Sequence, residues 1–127
     1  MKKRPIRRGD IYYAELSKEE DGSVQAGSRP VLVTQSNWLN RRSTTVIVAM
    51  ITSQIKRLDL ATHVLLPIIK GLPKQSMVMT EQRKTISKDK LVQYRCTLDP
   101  LTMKKVTRAL KESEKDDKHT SIYRKRR

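Results

Sequence analysis

Along residues 1–97 apolar side chains come in short runs or alternate with polar ones, and a helical spacing appears clearly just once, after residue 98. Residues 11–16 alternate. Ile11, Tyr13 and Glu15 fall on one face, and Tyr12, Ala14 and Leu16 on the other, so a strand is predicted there. Residues 17–28 are polar and hold Gly22 and Gly27, the mark of a mobile loop. The loop runs into Arg29, and Pro30 locks φ directly after it. Val31, Leu32 and Val33 form a continuous apolar run, which suits a strand over 31–35 buried on both faces. Residues 36–42 lack a strand pattern and suit a short helical turn, with Trp38 as its packing anchor. Residues 44–51 are the most apolar run and rich in β-branched side chains, which predicts a central strand. Further strands are expected over 62–66, ended by Pro67, and over 76–80, with 81–86 continuing or turning from it. A short one is expected around Leu91 and Val92. Asp99 is then a good N-cap with Pro100 at the first helical position, and Leu98 and Met103 have staple spacing. Met103, Val106, Ala109 and Leu110 line one face of that helix.

Consecutive strands followed by one terminal helix predict a mainly β fold, a small, partly open barrel. One domain is expected over residues 1–112, followed by a charged, disordered tail over 113–127 with a basic tip. With no Phe in the chain, Val, Ile, Leu and Met must fill the core.

Charge adds a partner class. The chain has 28 Lys and Arg against 13 Asp and Glu, a formal net charge of +15. Such an excess points to a polyanion, most simply nucleic acid, without separating DNA, RNA, an acidic protein or anionic lipid. Cys96 is the sole cysteine, so no internal disulfide forms, in keeping with a reducing cytoplasm. Two histidines without a Cys-x-x-Cys pair argue against a structural zinc. The basic start has no apolar stretch behind it, so neither a signal peptide nor a membrane span is expected.

Three places offer chemistry. Arg29 carries a permanent charge and a rigid fork of donors, a ready phosphate holder on stiff backbone. Thr52, Ser53 and Gln54 close a buried strand with three small polar groups, either as a hydroxyl-capped end or as a cleft shared with Arg29. His63 is the better placed histidine. In a strand it reads as a structural donor before a general base.

Arg8-Gly9-Asp10-Ile11-Tyr12-Tyr13, followed by Gly22 through Gly27-Ser28-Arg29-Pro30-Val31-Leu32-Val33, resembles the opening of the MazF/PemK-type toxins. Val48-Ala49-Met50-Ile51-Thr52-Ser53-Gln54 with Thr62-His63-Val64 resembles their middle section. Ser76-Met77-Val78 through Glu81-Gln82 and Thr85-Ile86 resembles a later one. The blocks cover residues 7–110 in order, which is far more specific than any single tripeptide. The resemblance implies an SH3-like (CcdB/PemK-type) barrel with a C-terminal helix, and a homodimer. It implies a metal-independent, sequence-specific endoribonuclease that needs no cofactor, cuts single-stranded mRNA and is neutralised by an acidic antitoxin. Arg29 and Thr52 stand at its catalytic positions, and Gln25, Gly27, Ser53, Gln54, Ser76, Glu81 and Gln82 at RNA-contacting ones. Two departures stand out. Val24 replaces a loop carboxylate, and Arg83-Lys84 interrupts the usual Gln-Ile-Arg-Thr-Ile.

RNA carries its own nucleophile, so the resemblance implies attack by the 2′-OH on the adjacent phosphate. That gives a 2′,3′-cyclic phosphate and a 5′-OH end. Other readings are a basic RNA-binding module without catalysis, and a toxin of the same fold that poisons a gyrase. The gyrase binder has no need of Arg29 and Thr52 together. Anchoring to an anionic membrane lacks a basic amphipathic helix.

Overall fold

The computed structural model describes residues 4–17 and 27–116. Six strands form one antiparallel sheet: β1 (Asp10–Leu16), β2 (Gly27–Val33), β3 (Thr45–Thr52), β4 (His63–Leu65), β5 (Met77–Ser87) and β6 (Leu91–Thr97). A short helix, α1 (Asn37–Arg42), links β2 to β3, and α2 (Pro100–Glu114) follows the last strand. No helix among the described residues is long and apolar enough to cross a membrane.

The strand order is β4-β5-β3-β2-β1-β6. Consecutive strands β5 and β6 therefore lie four positions apart, joined by the three-residue turn Lys88–Lys90. Four strand spacings of a flat sheet measure about 19 Å. The four backbone steps from Ser87 to Leu91 reach about 14 Å at most. The sheet must curl, which makes it the partly open barrel expected, with β4 and β6 as its edges.

Each face has its own core. Ile11, Leu32, Ala49, Ile51, Val78 and Cys96 meet Val106 and Ala109 of α2 on one side. Tyr12, Ala14, Val31, Val33, Val46, Val48 and Met50 cluster on the other. Central strand β3 thus buries both faces, as its unbroken apolar run requires. The helix starts as the sequence predicts. Asp99 caps it, its carboxylate accepting from the Thr102 backbone N–H at 3.1 Å, and Pro100 follows. Fully buried Val106 then contributes about 1.5–3 kcal/mol by leaving water.

Two expectations need correction, and the open choice of whether 81–86 continues or turns from the strand before it is decided. First, β2 begins at Gly27, not Val31, so Arg29 lies inside the strand and pairs with Ala14 of β1. The segment 77–87 is one strand with a kink. Ala49 pairs with Arg83 but Met50 pairs with Met79, so Thr80, Glu81 and Gln82 form a three-residue bulge. Second, Trp38 is not a packing anchor: it is 57% exposed. Asn40 takes the inward side of α1. Its amide donates to the Gln35 carbonyl oxygen at 3.1 Å, and its side-chain oxygen accepts from Gln35 Nε2 at 2.9 Å. Two residues are about 200° apart on a helix, so burying Asn40 turns Trp38 outward. The loop holding Val24 and Gln25, and the tail beyond residue 116, lie outside the described residues.

Candidate active site

β2 and β3 pair through Val33–Val48, Leu32–Ala49 and Val31–Met50. Two steps further along the same register, position 29 faces position 52. Antiparallel geometry thereby brings together two residues 23 apart in sequence. Both are half-buried, and both line one cleft of about 710 Å³. Its polar wall adds Ser53, Gln54, Ser76 and Gln82. Met50, Ile51, Leu72 and Met79 supply its apolar floor. The cations are Arg29 and Lys74, and no carboxylate lines the cleft among the described residues, so its field favours an anion.

Each polar group arrives by an identifiable local device. Thr52 Oγ1 accepts the Gln54 backbone N–H at 3.0 Å, which leaves its own proton to donate. Buried Ser76 donates to the Lys74 carbonyl at 3.0 Å and closes the turn beside it. Gln82 reaches the cleft because the β5 bulge re-aims it. Lys74 rides on a turn hinged at Gly71, whose φ of +113° is a glycine conformation. A Cβ at 71 would also lie 2.3 Å from the Arg95 carbonyl oxygen. Arg95 Nε donates back to the Gly71 carbonyl at 2.8 Å and pins that turn to β6, and its guanidinium lies 4.9 Å from the centre of the Tyr13 ring.

Two expected residues stand apart. Gly27 opens β2 opposite Leu16 and does not line the cleft. Glu81 leaves the bulge in another direction and meets His63 Nε2 at 3.0 Å. The opposite ring nitrogen of His63, Nδ1, lies 3.2 Å from the Lys56 carbonyl oxygen. Both partners only accept, so both contacts are hydrogen bonds when the ring is cationic. With its side chain 6% exposed and both nitrogens engaged, His63 is a structural donor and not a base for the cleft. Burial works to raise the Glu81 carboxyl. The hydrogen bonds from His63, from its own backbone and from Thr62 outweigh it and hold the group below the usual carboxylate range. This clamp ties the loop after Thr52 to the bulge that presents Gln82.

Sequence reasoning missed Tyr13 and Lys74. Tyr13 sits in an ordinary alternating strand, between Ile11 and Glu15 on one face, and nothing in that pattern singles it out. Lys74 is one of many lysines, and the Gly71-Leu72-Pro73 turn before it is the only local hint that its backbone is fixed.

The chain is similar to endoribonuclease EndoA of Bacillus subtilis, at 44% identity over 109 residues, covering 85% of this chain and 93% of that protein. It is 41% identical to endoribonuclease MazF of Staphylococcus saprophyticus over 106 residues, covering 83% and 88% of the two. A solved mycobacterial endoribonuclease in complex with its cognate antitoxin superposes with a TM-score of 0.71 at 25% identity, covering 85% of this chain and 93% of that one. The family described as the PemK-like, MazF-like toxin of type II toxin-antitoxin systems matches residues 7–113, and the chain belongs to that family.

Proposed function

We propose that this chain is a toxin endoribonuclease that cuts single-stranded mRNA in the cleft between Arg29 and Thr52. The convergence of those two side chains on one anion-favouring cleft is the observation that carries the reading. The 2′-oxygen of the nucleotide before the cut attacks the adjacent phosphorus, and a P–O bond forms as the 2′-proton leaves. The P–O5′ bond breaks, and the departing oxygen takes a proton to become a 5′-OH. The other fragment ends in a 2′,3′-cyclic phosphate.

Arg29 offsets charge on the non-bridging oxygens as they crowd in the transition state, where a fixed donor is worth most. Thr52 donates its hydroxyl proton to the phosphate, since its oxygen already accepts from Gln54. Lys74 draws the backbone in. Ser53, Gln54 and Gln82 read base edges, with Ser76 supporting the turn; unstacked bases of a single strand expose those edges. Glu81 supports the cleft from outside it, through its contact with His63. An acidic antitoxin segment crossing the same cleft would silence the enzyme. A homodimer acting in the cytoplasm completes the reading.

The test is cleavage of total RNA in EDTA by wild type, Arg29→Ala and Thr52→Ala, with mapping of cut positions and end chemistry. Cyclic phosphate ends that vanish with Arg29→Ala support the reading. Undiminished cutting by Arg29→Ala overturns the mechanism, and loss of wild-type cutting in EDTA overturns its metal independence.

A further inference from the structure

We propose a second RNA-docking surface at the opposite end of β3, a basic groove around Arg8 flanked by the exposed Trp38. It would hold single-stranded RNA that extends from the cut. The inference rests on the ribonuclease reading only for the identity of its ligand.

A groove of about 350 Å³ opens between α1 and α2, with Arg8, Arg83 and Lys111 among its lining residues. Arg8 is half-buried and donates to the Thr34 carbonyl and, at 3.0 Å, to Thr107 Oγ1. Both partners are neutral. Glu114 is the one carboxylate lining the groove among the described residues, and Arg83 takes it at 2.7 Å. Burial alone acts on the Arg8 guanidinium, and it disfavours the charge. A partly desolvated cation without a counter-charge is costly, and a phosphate in the groove would relieve it.

The groove also has a flat neighbour. Leu39 lines it, and one residue earlier on α1 stands Trp38, 57% exposed, with the Arg42 guanidinium 4.1 Å from its ring centre. An indole next to phosphate-holding cations is the pairing that single-strand binders use, the ring for a base and the cations for the backbone. An acidic peptide would use the charge but leave the ring without a purpose. Ile47, the β3 residue that lines the groove, lies five residues or about 17 Å along the strand from Thr52, so a minimal substrate filling the cleft would not reach the groove.

Trp38 is the only tryptophan, so its fluorescence reports on this surface alone. The experiment titrates the full chain with two RNAs that share one cleavage site, one minimal and one carrying flanks of about ten nucleotides, and with a poly-glutamate peptide. Binding is also followed by anisotropy of labelled RNA, and KM is measured on both RNAs. The expected result is quenching by the flanked RNA only. Trp38→Ala and Lys111→Ala should weaken the flanked RNA, by about 5- to 150-fold for the stacking residue, and leave the minimal RNA unchanged. Trp38 is exposed, so its loss should not unfold the chain. Quenching without cleavage would keep this surface and sink the ribonuclease reading. Cleavage without quenching, equal KM for the two RNAs, or stronger quenching by poly-glutamate would overturn the surface.

Discussion

The two ends of β3 differ in what their polar groups are free to do. Around Thr52 the backbone and the His63 clamp take up the local hydrogen-bonding demands, so a hydroxyl proton and two amides face an open cleft. Around Thr45 and the groove beside Ile47 the polar groups hold the fold together. Gln35 Nε2 donates to Asn40 Oδ1 and to the Thr45 carbonyl, Arg83 binds Glu114 and Ser113, and Thr34 and Thr107 serve Arg8. Both regions are basic. The cleft sets a cation beside a hydroxyl proton and two amides, whereas in the groove Arg8 and Arg83 are already engaged by the fold.

Removing the charge from each end should break the symmetry most sharply. Arg29→Ala is expected to lower kcat about 100- to 1,000-fold, the usual loss for one preorganised donor to a transition-state oxyanion. Lys111→Ala at the other end should leave kcat on a minimal RNA unchanged. Single-turnover cleavage of that RNA checks both. Thr52→Val comes next. It deletes a donor to a charged oxygen while keeping the shape, so a loss of about 10- to 150-fold is expected. A smaller loss than for Arg29→Ala, by the same assay, agrees with a hydrogen-bonding role; an equal loss would make Thr52 part of the proton transfer.

The His63 clamp sharpens the comparison further, because it acts on the cleft from outside. His63→Ala frees the loop that carries Gln54 and the bulge that carries Gln82. Affinity should suffer more than chemistry: KM rises about three- to tenfold, the worth of one or two lost hydrogen bonds, while kcat changes less. The same variant should leave Trp38 quenching by flanked RNA at its wild-type amplitude. An equal fall in kcat would instead assign the clamp to positioning of Thr52.

Period-two runs and caps carried most of the fold. The unbroken run 44–51 could only be a strand covered on both faces, and Asp99-Pro100 could only open a helix. The partnership of Arg29 and Thr52 was one of two open readings of the residues, and only the resemblance chose between them. That partnership depends on register, which local pattern does not encode until the pairing of Val31 with Met50 is known. Glu81 and Gln82 show the limit most plainly. They are neighbours in sequence, but a bulge sends one to the cleft and the other to His63, and nothing in Thr80-Glu81-Gln82 announces a bulge. Trp38 misled because hydrophobicity predicts burial for the ring, whereas the reciprocal hydrogen bonds of Gln35 and Asn40 decide which side of a six-residue helix turns inward.

The smallest expected effect concerns pH and again separates the two ends. Glu81 has its carboxyl lowered in the fold, so it adds stability above the ordinary glutamate value of about 4.3. That contribution fades as the pH falls through the lower folded value. The side chain is 37% exposed and solvent screens the pair, so the gain at pH 7 is expected to stay under about 1 kcal/mol. Glu81→Gln should thus be slightly less stable than wild type at pH 7 in urea melts, with the two curves converging below pH 4. The groove at the other end keeps its carboxylate, Glu114, against Arg83, and the Arg8 charge persists throughout that range, so Trp38 quenching by flanked RNA should hold steady from pH 5 to 8. A stability difference that instead grew as the pH fell would mean that Glu81 is better bound when protonated, and the hydrogen bond from His63 to its carboxylate would have to be abandoned.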